Sequence, residues 1–199
     1  MINQIIQKIK GFLLKPVETF QKSRGDDVVP VIAYFVFLLI VNGILWALVM
    51  ASRVMMHPLL TIARYDPGTE PVLVFIIVLI LVIVLQLFFI LIFGLLLHLF
   101  AYITGARKGI VQTEKAVIFG STPLLLLGWI PVIGTIIGGI WSIILTIIGL
   151  RELHGITTGK AILAFVLSLA IIMIILVLII GWFSISLISG MDPTKAINY

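Results

Sequence analysis

Four long intervals of this chain, 28–52, 71–106, 116–150 and 161–191, hold no Asp, Glu, Lys or Arg. A bilayer-spanning helix needs about 20 consecutive apolar residues, and backbone in hydrocarbon must satisfy its own hydrogen bonds. The fold class is therefore an all-α polytopic membrane bundle. Composition agrees: 62% of residues are hydrophobic and 11% charged, against about 45–50% and 25% in soluble domains. The absence of cysteine excludes a disulfide framework, a thiolate metal site and a thiol nucleophile. A long polar, basic segment precedes the first apolar run, and no small-residue cleavage site follows a short core, so the first span is expected to remain in the mature protein.

The first and last intervals each read as one helix, 29–50 and 161–188. The second, 72–102, would be about 46 Å long at 1.5 Å per residue, so it must tilt, kink or project beyond a core of about 30 Å. Gly94 is the expected weak point, with His98 and Tyr102 beyond it at the interface. The third interval contains Gly128-Trp129-Ile130-Pro131, a turn signal, and reads as a helical hairpin with arms 116–128 and 132–150. The first arm is short and contains Pro123. It could cross a locally thinned bilayer or re-enter behind neighbouring helices. Five transmembrane helices follow if it crosses.

Alternating the connections places ten basic residues on one side: Lys8, Lys10, Lys15, Lys22, Arg24, Arg107, Lys108, Lys115, Arg151 and Lys160. Arg53, Arg64 and Lys195 fall on the other. The positive-inside rule then expects a cytoplasmic N-terminal segment, 1–27, a membrane domain, 28–190, and a short extracytoplasmic tail, 191–199, in a multi-pass protein of the cell membrane. Trp46, Trp129 and Trp182 fall near the expected outer interface, with Trp141 alone at mid-span. Within the N-terminal segment, Ile2, Ile5, Ile6, Ile9, Phe12 and Leu13 recur at helical spacing beside Lys8 and Lys10. That pattern predicts an interfacial amphipathic helix, resting on anionic lipid or on the protein's own cytoplasmic face.

Gly134, Gly138, Ser142 and Thr146 recur every four residues and form a helix-packing seam. It can serve the bundle itself or a second copy of the chain through the GxxxG pair. Around it stand Phe119-Gly120-Ser121-Thr122-Pro123, Gly128-Trp129-Ile130-Pro131, Ile140-Trp141 and Ile148-Gly149-Leu150-Arg151-Glu152-Leu153-His154-Gly155. In this order the blocks resemble the Yip domain family, the Ypt/Rab-interacting proteins, in its prokaryotic form. Leu14-Lys15-Pro16, Phe20 and the five-span layout fit as well. Eukaryotic members are implicated in Rab GTPase binding and vesicle traffic through a long cytoplasmic extension that the segment before Val28 does not supply. For prokaryotic members the resemblance implies a fold and a membrane setting, with no agreed reaction.

Asn42 and Gln86 are the amides nearest mid-span. They could bond to each other as structural glue or form a polar site for a small solute. No carboxylate lies inside the spans as drawn, whereas proton and ion transport usually require one. His98, Glu152 and His154 fall at the cytoplasmic end, but Glu152 and His154 are two residues apart, a poor spacing for one helix face. No metal or cofactor is expected, and no HExxH, GxSxG or phosphate loop occurs. The expectation is a non-enzymatic scaffold that organises lipid or recruits a cytoplasmic protein. Arg107, Lys108, Arg151, Glu152 and His154 are its contact candidates. The alternatives are a small-solute permease or channel and a lipid-handling protein. Expected partners are membrane lipids, a second copy and a cytoplasmic protein, with no nucleic acid.

Overall fold

The computed structural model describes residues 2–51 and 71–190, and these are helical with short connections and contain no strand. The order is α1 (Ile2–Leu14), α2 (Pro16–Lys22), a 3-10 turn (Ser23–Gly25), α3 (Val28–Ala51), α4 (Pro71–Ile103), α5 (Ile110–Gly120), α6 (Thr122–Leu127), α7 (Ile133–His154) and α8 (Thr158–Gly190). Five segments are long and apolar enough to cross a membrane: Val28–Met50, Phe75–Ile103, Ile110–Leu127, Ile133–His154 and Thr158–Ile185. Residues 52–70, with Arg53 and Arg64, and 191–199, with Lys195, lie outside the described residues.

The largest difference from the sequence reading is the start of the third segment. It begins at Ile110, not near Ala116, because Gly109 turns the chain at φ +82° and helix follows at once. Glu114 and Lys115, read as loop residues, are therefore helical, and Glu114 is a carboxylate within a segment able to cross. The segment from Ile110 to Leu127, α5 and α6 with Ser121 between them, holds 18 residues, or about 27 Å at 1.5 Å each. Gly94 is not a break, since α4 is continuous through it. A Cβ there would lie 2.6 Å from Glu114 Cδ, so the missing side chain is the space the Glu114 carboxyl takes.

The centre of the bundle is α7, which packs on α2, α5, α6 and α8, while α3 packs along α4. At the N-terminal end, Phe12, Phe20, Tyr34 and Phe119 form one buried aromatic cluster. Phe12 stacks on Phe119 with centroids 4.4 Å apart and meets Phe20 at 4.8 Å. Such pairs add about 0.5–1.5 kcal/mol each beyond burial. The cluster decides how α1 lies. Ile5 and Phe12 are buried against the bundle, whereas Ile2 and Ile6 remain exposed. The amphipathic stripe is thus divided between the protein's own face and the outside.

Candidate functional site

The segments most distinctive in sequence meet where α5, α6 and α7 touch. Pro123 has no N–H, so the Phe119 carbonyl loses its helical donor. The Thr122 hydroxyl donates to that carbonyl at 2.7 Å, and Tyr34 Oη lies 2.8 Å from the same hydroxyl oxygen. With the Thr122 proton committed to Phe119, Tyr34 must be the donor. Ser121 Oγ donates to the Ile118 carbonyl at 2.8 Å, and the Leu124 N–H crosses to Ser142 Oγ at 3.0 Å. The break between α5 and α6 leaves these polar groups paired, as a segment in hydrocarbon requires.

The end of α6 is resolved the same way. A helix leaves its last four carbonyls without intrahelical partners. Here Leu124 O accepts from Gly128 N (2.7 Å), Leu125 O from Asn42 Nδ2 (2.8 Å), Leu126 O from Trp129 Nε1 (2.9 Å) and Leu127 O from Ile130 N (2.9 Å). Thr135 Oγ1 closes the turn on Gly128 O at 3.2 Å. The chain then reverses at Val132, with φ +62° and ψ −70°, and Ile133 N bonds to Pro131 O at 2.7 Å. That is a γ-turn of the rare, strained kind, on a β-branched residue. Val132→Gly is expected to preserve or raise the melting temperature in detergent, because relief of about 1–3 kcal/mol of strain offsets glycine's extra chain entropy. A clear fall in melting temperature would remove the strain argument.

The seam residues face this arm. Gly134, Gly138, Ser142 and Thr146 are all buried. A Cβ on Gly138 would lie 2.9 Å from Pro123 O, and one on Gly134 would lie 2.6 Å from Ile130 Cβ. The seam is filled by the chain's own α5–α6 arm. Asn42 and Gln86 also come together: Gln86 Nε2 donates to Asn42 Oδ1 at 2.7 Å, while Asn42, itself buried, donates to Leu125 O.

The N-terminal end carries a second polar cluster. The carbonyl of Glu152, in the last turn of α7, accepts from Arg24 Nε and Nη2 at 2.9 and 2.6 Å. The Glu152 carboxylate takes Gln21 Nε2 at 2.8 Å and Arg151 Nε at 2.8 Å. Lys115, buried on α5, donates to the carbonyls of Arg24 (3.1 Å) and Asp26 (2.5 Å), and Lys8 pairs with the Asp26 carboxylate at 2.5 Å. These bonds tie α1, α2 and the 3-10 turn to α5 and α7. Gly155 ends α7 at φ +70°, the left-handed position glycine favours after a helix.

His98 Nδ1 and His154 Nε2 each lie 2.9 Å from Thr113 Oγ1, so one hydroxyl bridges α4 and α7. Glu152 turns away to Gln21 and the arginines, and among the described residues no three His, Asp or Glu side chains converge. Of the five contact candidates, Glu152 and His154 are buried and present no surface. Arg151 is half-buried, and Arg107 and Lys108 are exposed. Arg107 lies over the Tyr102 ring, 4.1 Å from its centroid, and donates to the Tyr102 carbonyl at the end of α4. The burial follows from position. Both residues sit in the last turn of a helix that is covered by α2 and α5. Outward, the lysines dominate. Glu18 is hydrogen-bonded by Lys22 at 2.6 Å, and that bond, with the charges of Lys22 and Lys15, holds its carboxyl below the usual range.

Sequence reasoning counted Arg24 and Lys115 only as basic residues of the cytoplasmic side, and passed over Thr113 and Glu114. The family model described as the Yip1 domain matches residues 10–180. The chain belongs to the Yip1 domain family. No curated protein and no solved structure matches it. The Yip1 domain here takes in the last five residues of α1, most of α8 and everything described between them. Its Ser121-Thr122-Pro123 and Gly128-to-Pro131 blocks are the residues that close the backbone of the hairpin.

Proposed function

We propose that this Yip1 protein is a non-enzymatic scaffold of the cell membrane. Its N-terminus would be cytoplasmic and its C-terminus extracytoplasmic, and its N-terminal end would gather anionic lipid and present that surface to a cytoplasmic partner. One observation carries the reading. α1 and α2 are anchored against the bundle by the aromatic cluster and the Arg24 and Lys115 bonds, while Lys10, Lys15, Lys22, Ile2, Ile6 and Leu14 stay exposed. Exposed lysines beside apolar side chains suit the headgroup layer of an anionic leaflet. The distribution of basic residues supports the orientation, since ten lie on the N-terminal segment, the connections and the helix ends next to them at this end.

The test is a Lys10→Gln/Lys15→Gln/Lys22→Gln variant reconstituted with phosphatidylcholine and a minor fraction of fluorescence-quenching phosphatidylserine. Each lysine near an anionic surface contributes about 1 kcal/mol. Quenching of a reporter on α1 should therefore show anionic enrichment in the parent at low salt and little in the variant. Equal quenching in both would reject the reading. The permease reading has its own support in the Asn42–Gln86 pair at mid-bundle. Solute flux in proteoliposomes, lost in Gln86→Leu, would favour it.

A further inference from the structure

A cavity of about 530 Å³ lies at mid-bundle between α3, α4, α6, α7 and α8. That is within the roughly 300–1,000 Å³ range of small-molecule sites. No Asp, Glu, Lys, Arg or His lines it. Its wall is apolar side chains, with the amides of Asn42 and Gln86 and a few hydroxyls. Lining residues Leu85 and Phe89 of α4, Ile143 of α7 and Leu169 of α8 are also exposed. All four stand in segments able to cross a membrane, so an opening between them faces hydrocarbon.

One polar atom in this wall is unsatisfied, and its identity is dictated by its neighbours. The Leu125 carbonyl can only accept, so Asn42 must turn its NH₂ towards it and its Oδ1 towards Gln86. Gln86 must then offer Asn42 its NH₂. Gln86 Oε1 is left as a buried acceptor with no partner. An orphaned buried acceptor is costly, and what would complete it is a donor.

We infer that this cavity is a binding site for a neutral, single-tailed lipid carrying a hydroxyl, taken up laterally from the bilayer. Its hydroxyl donates to Gln86 Oε1, which a small shift of the Gln86 side chain must first uncover because the cavity as it stands does not expose that atom, and its chain lies along the apolar wall. A charged headgroup would find no counter-charge there. This site is at mid-bundle, apart from the lysine face of the proposed scaffold, and depends on none of it.

Gly139 supplies a clean probe. A Cβ at Gly139, which lines the cavity, meets nothing within 4 Å, unlike one on its neighbour Gly138. Gly139→Phe should fill the site without disturbing the seam. The full chain, in phosphatidylcholine nanodiscs, is labelled with a photoreactive long-chain primary alcohol, and the labelled peptides are mapped. Labelling should fall on α4 and α7 around Gln86 and Gly139 and drop about tenfold in Gly139→Phe at unchanged melting temperature. On the parent protein, unlabelled alcohol should compete about tenfold better than its methyl ether, which lacks the donor, as one hydrogen bond to a buried acceptor implies. Equal competition by the ether would overturn the role of Gln86, and labelling indifferent to Gly139→Phe in a folded variant would overturn the site. The competition needs no variant, so a folding failure of Gly139→Phe leaves the proposal exposed to refutation. The phosphatidylserine quenching experiment reads the other end of the molecule, so either proposal can fail alone.

Discussion

Gly120→Ala is expected to be strongly destabilising, because the methyl group it adds runs into the main chain of a neighbouring helix. The added Cβ would sit 2.8 Å from Thr146 Cα and 2.9 Å from Thr146 N. Real Cβ atoms do not come that close, and the obstacle is backbone in the middle of α7. A side chain in the way could change rotamer, but here α5 and α7 must separate. Separation would stretch the Leu124–Ser142 bond and lift the arm from Gly138. Overpacking usually costs about 1–3 kcal/mol, and with a backbone obstacle and a coupled hydrogen bond the loss should exceed about 3 kcal/mol. Gly139→Ala is the control. It adds the same methyl group one turn position from the seam, into open space, and should gain up to about 1 kcal/mol from helix propensity. Unfolding in graded detergent, read by tryptophan fluorescence, compares the two. Thr146→Ala should not rescue Gly120→Ala, because the clash includes the Thr146 main chain. Similar stabilities for the two alanine variants would mean that the seam is not closed as described.

The contrast between Gly120 and Gly139 separates what is legible in sequence from what is not. Spacing of four identified Gly134, Gly138, Ser142 and Thr146 as one face, because helix geometry repeats regardless of partner. It could not say which backbone occupies that face, and Gly120, which meets the Thr146 main chain, stands outside the repeat. The apolar runs located the membrane helices, since hydrocarbon imposes its length on any chain. They fail at the start of α5, where charged residues stand in helix and not in a loop. Lys115 is buried there because two carbonyls from the N-terminal segment receive it, and Glu114 because Gly94 leaves room. Those partners lie 20 or more residues away in sequence, so no local pattern announces them. Asn42 and Gln86 could be singled out, being amides in apolar runs. Their third member, the Leu125 carbonyl, is a main-chain group freed only by the end of α6, and it is what orients the other two.

The same dependence on main-chain groups underlies the second large effect, at Thr122. Thr122→Val keeps the shape and removes one oxygen, yet that oxygen serves two buried groups: it donates to Phe119 O and accepts from Tyr34 Oη. Each buried group left unpaired costs about 1–3 kcal/mol, so the substitution should destabilise by about 2–5 kcal/mol. Tyr34→Phe should cost only about 1 kcal/mol, because Thr122 still donates to Phe119. In the double variant the tyrosine hydroxyl is no longer present to be orphaned, so only the Phe119 carbonyl remains unpaired. The double variant should then be more stable than the sum of the singles by about 2–4 kcal/mol. Unfolding of all four proteins under one detergent series measures that coupling. Additivity within about 0.5 kcal/mol would show that Tyr34 and Thr122 act independently. The hydroxyl of Thr122 would then not be the joint that lets Pro123 stand in the middle of a membrane arm.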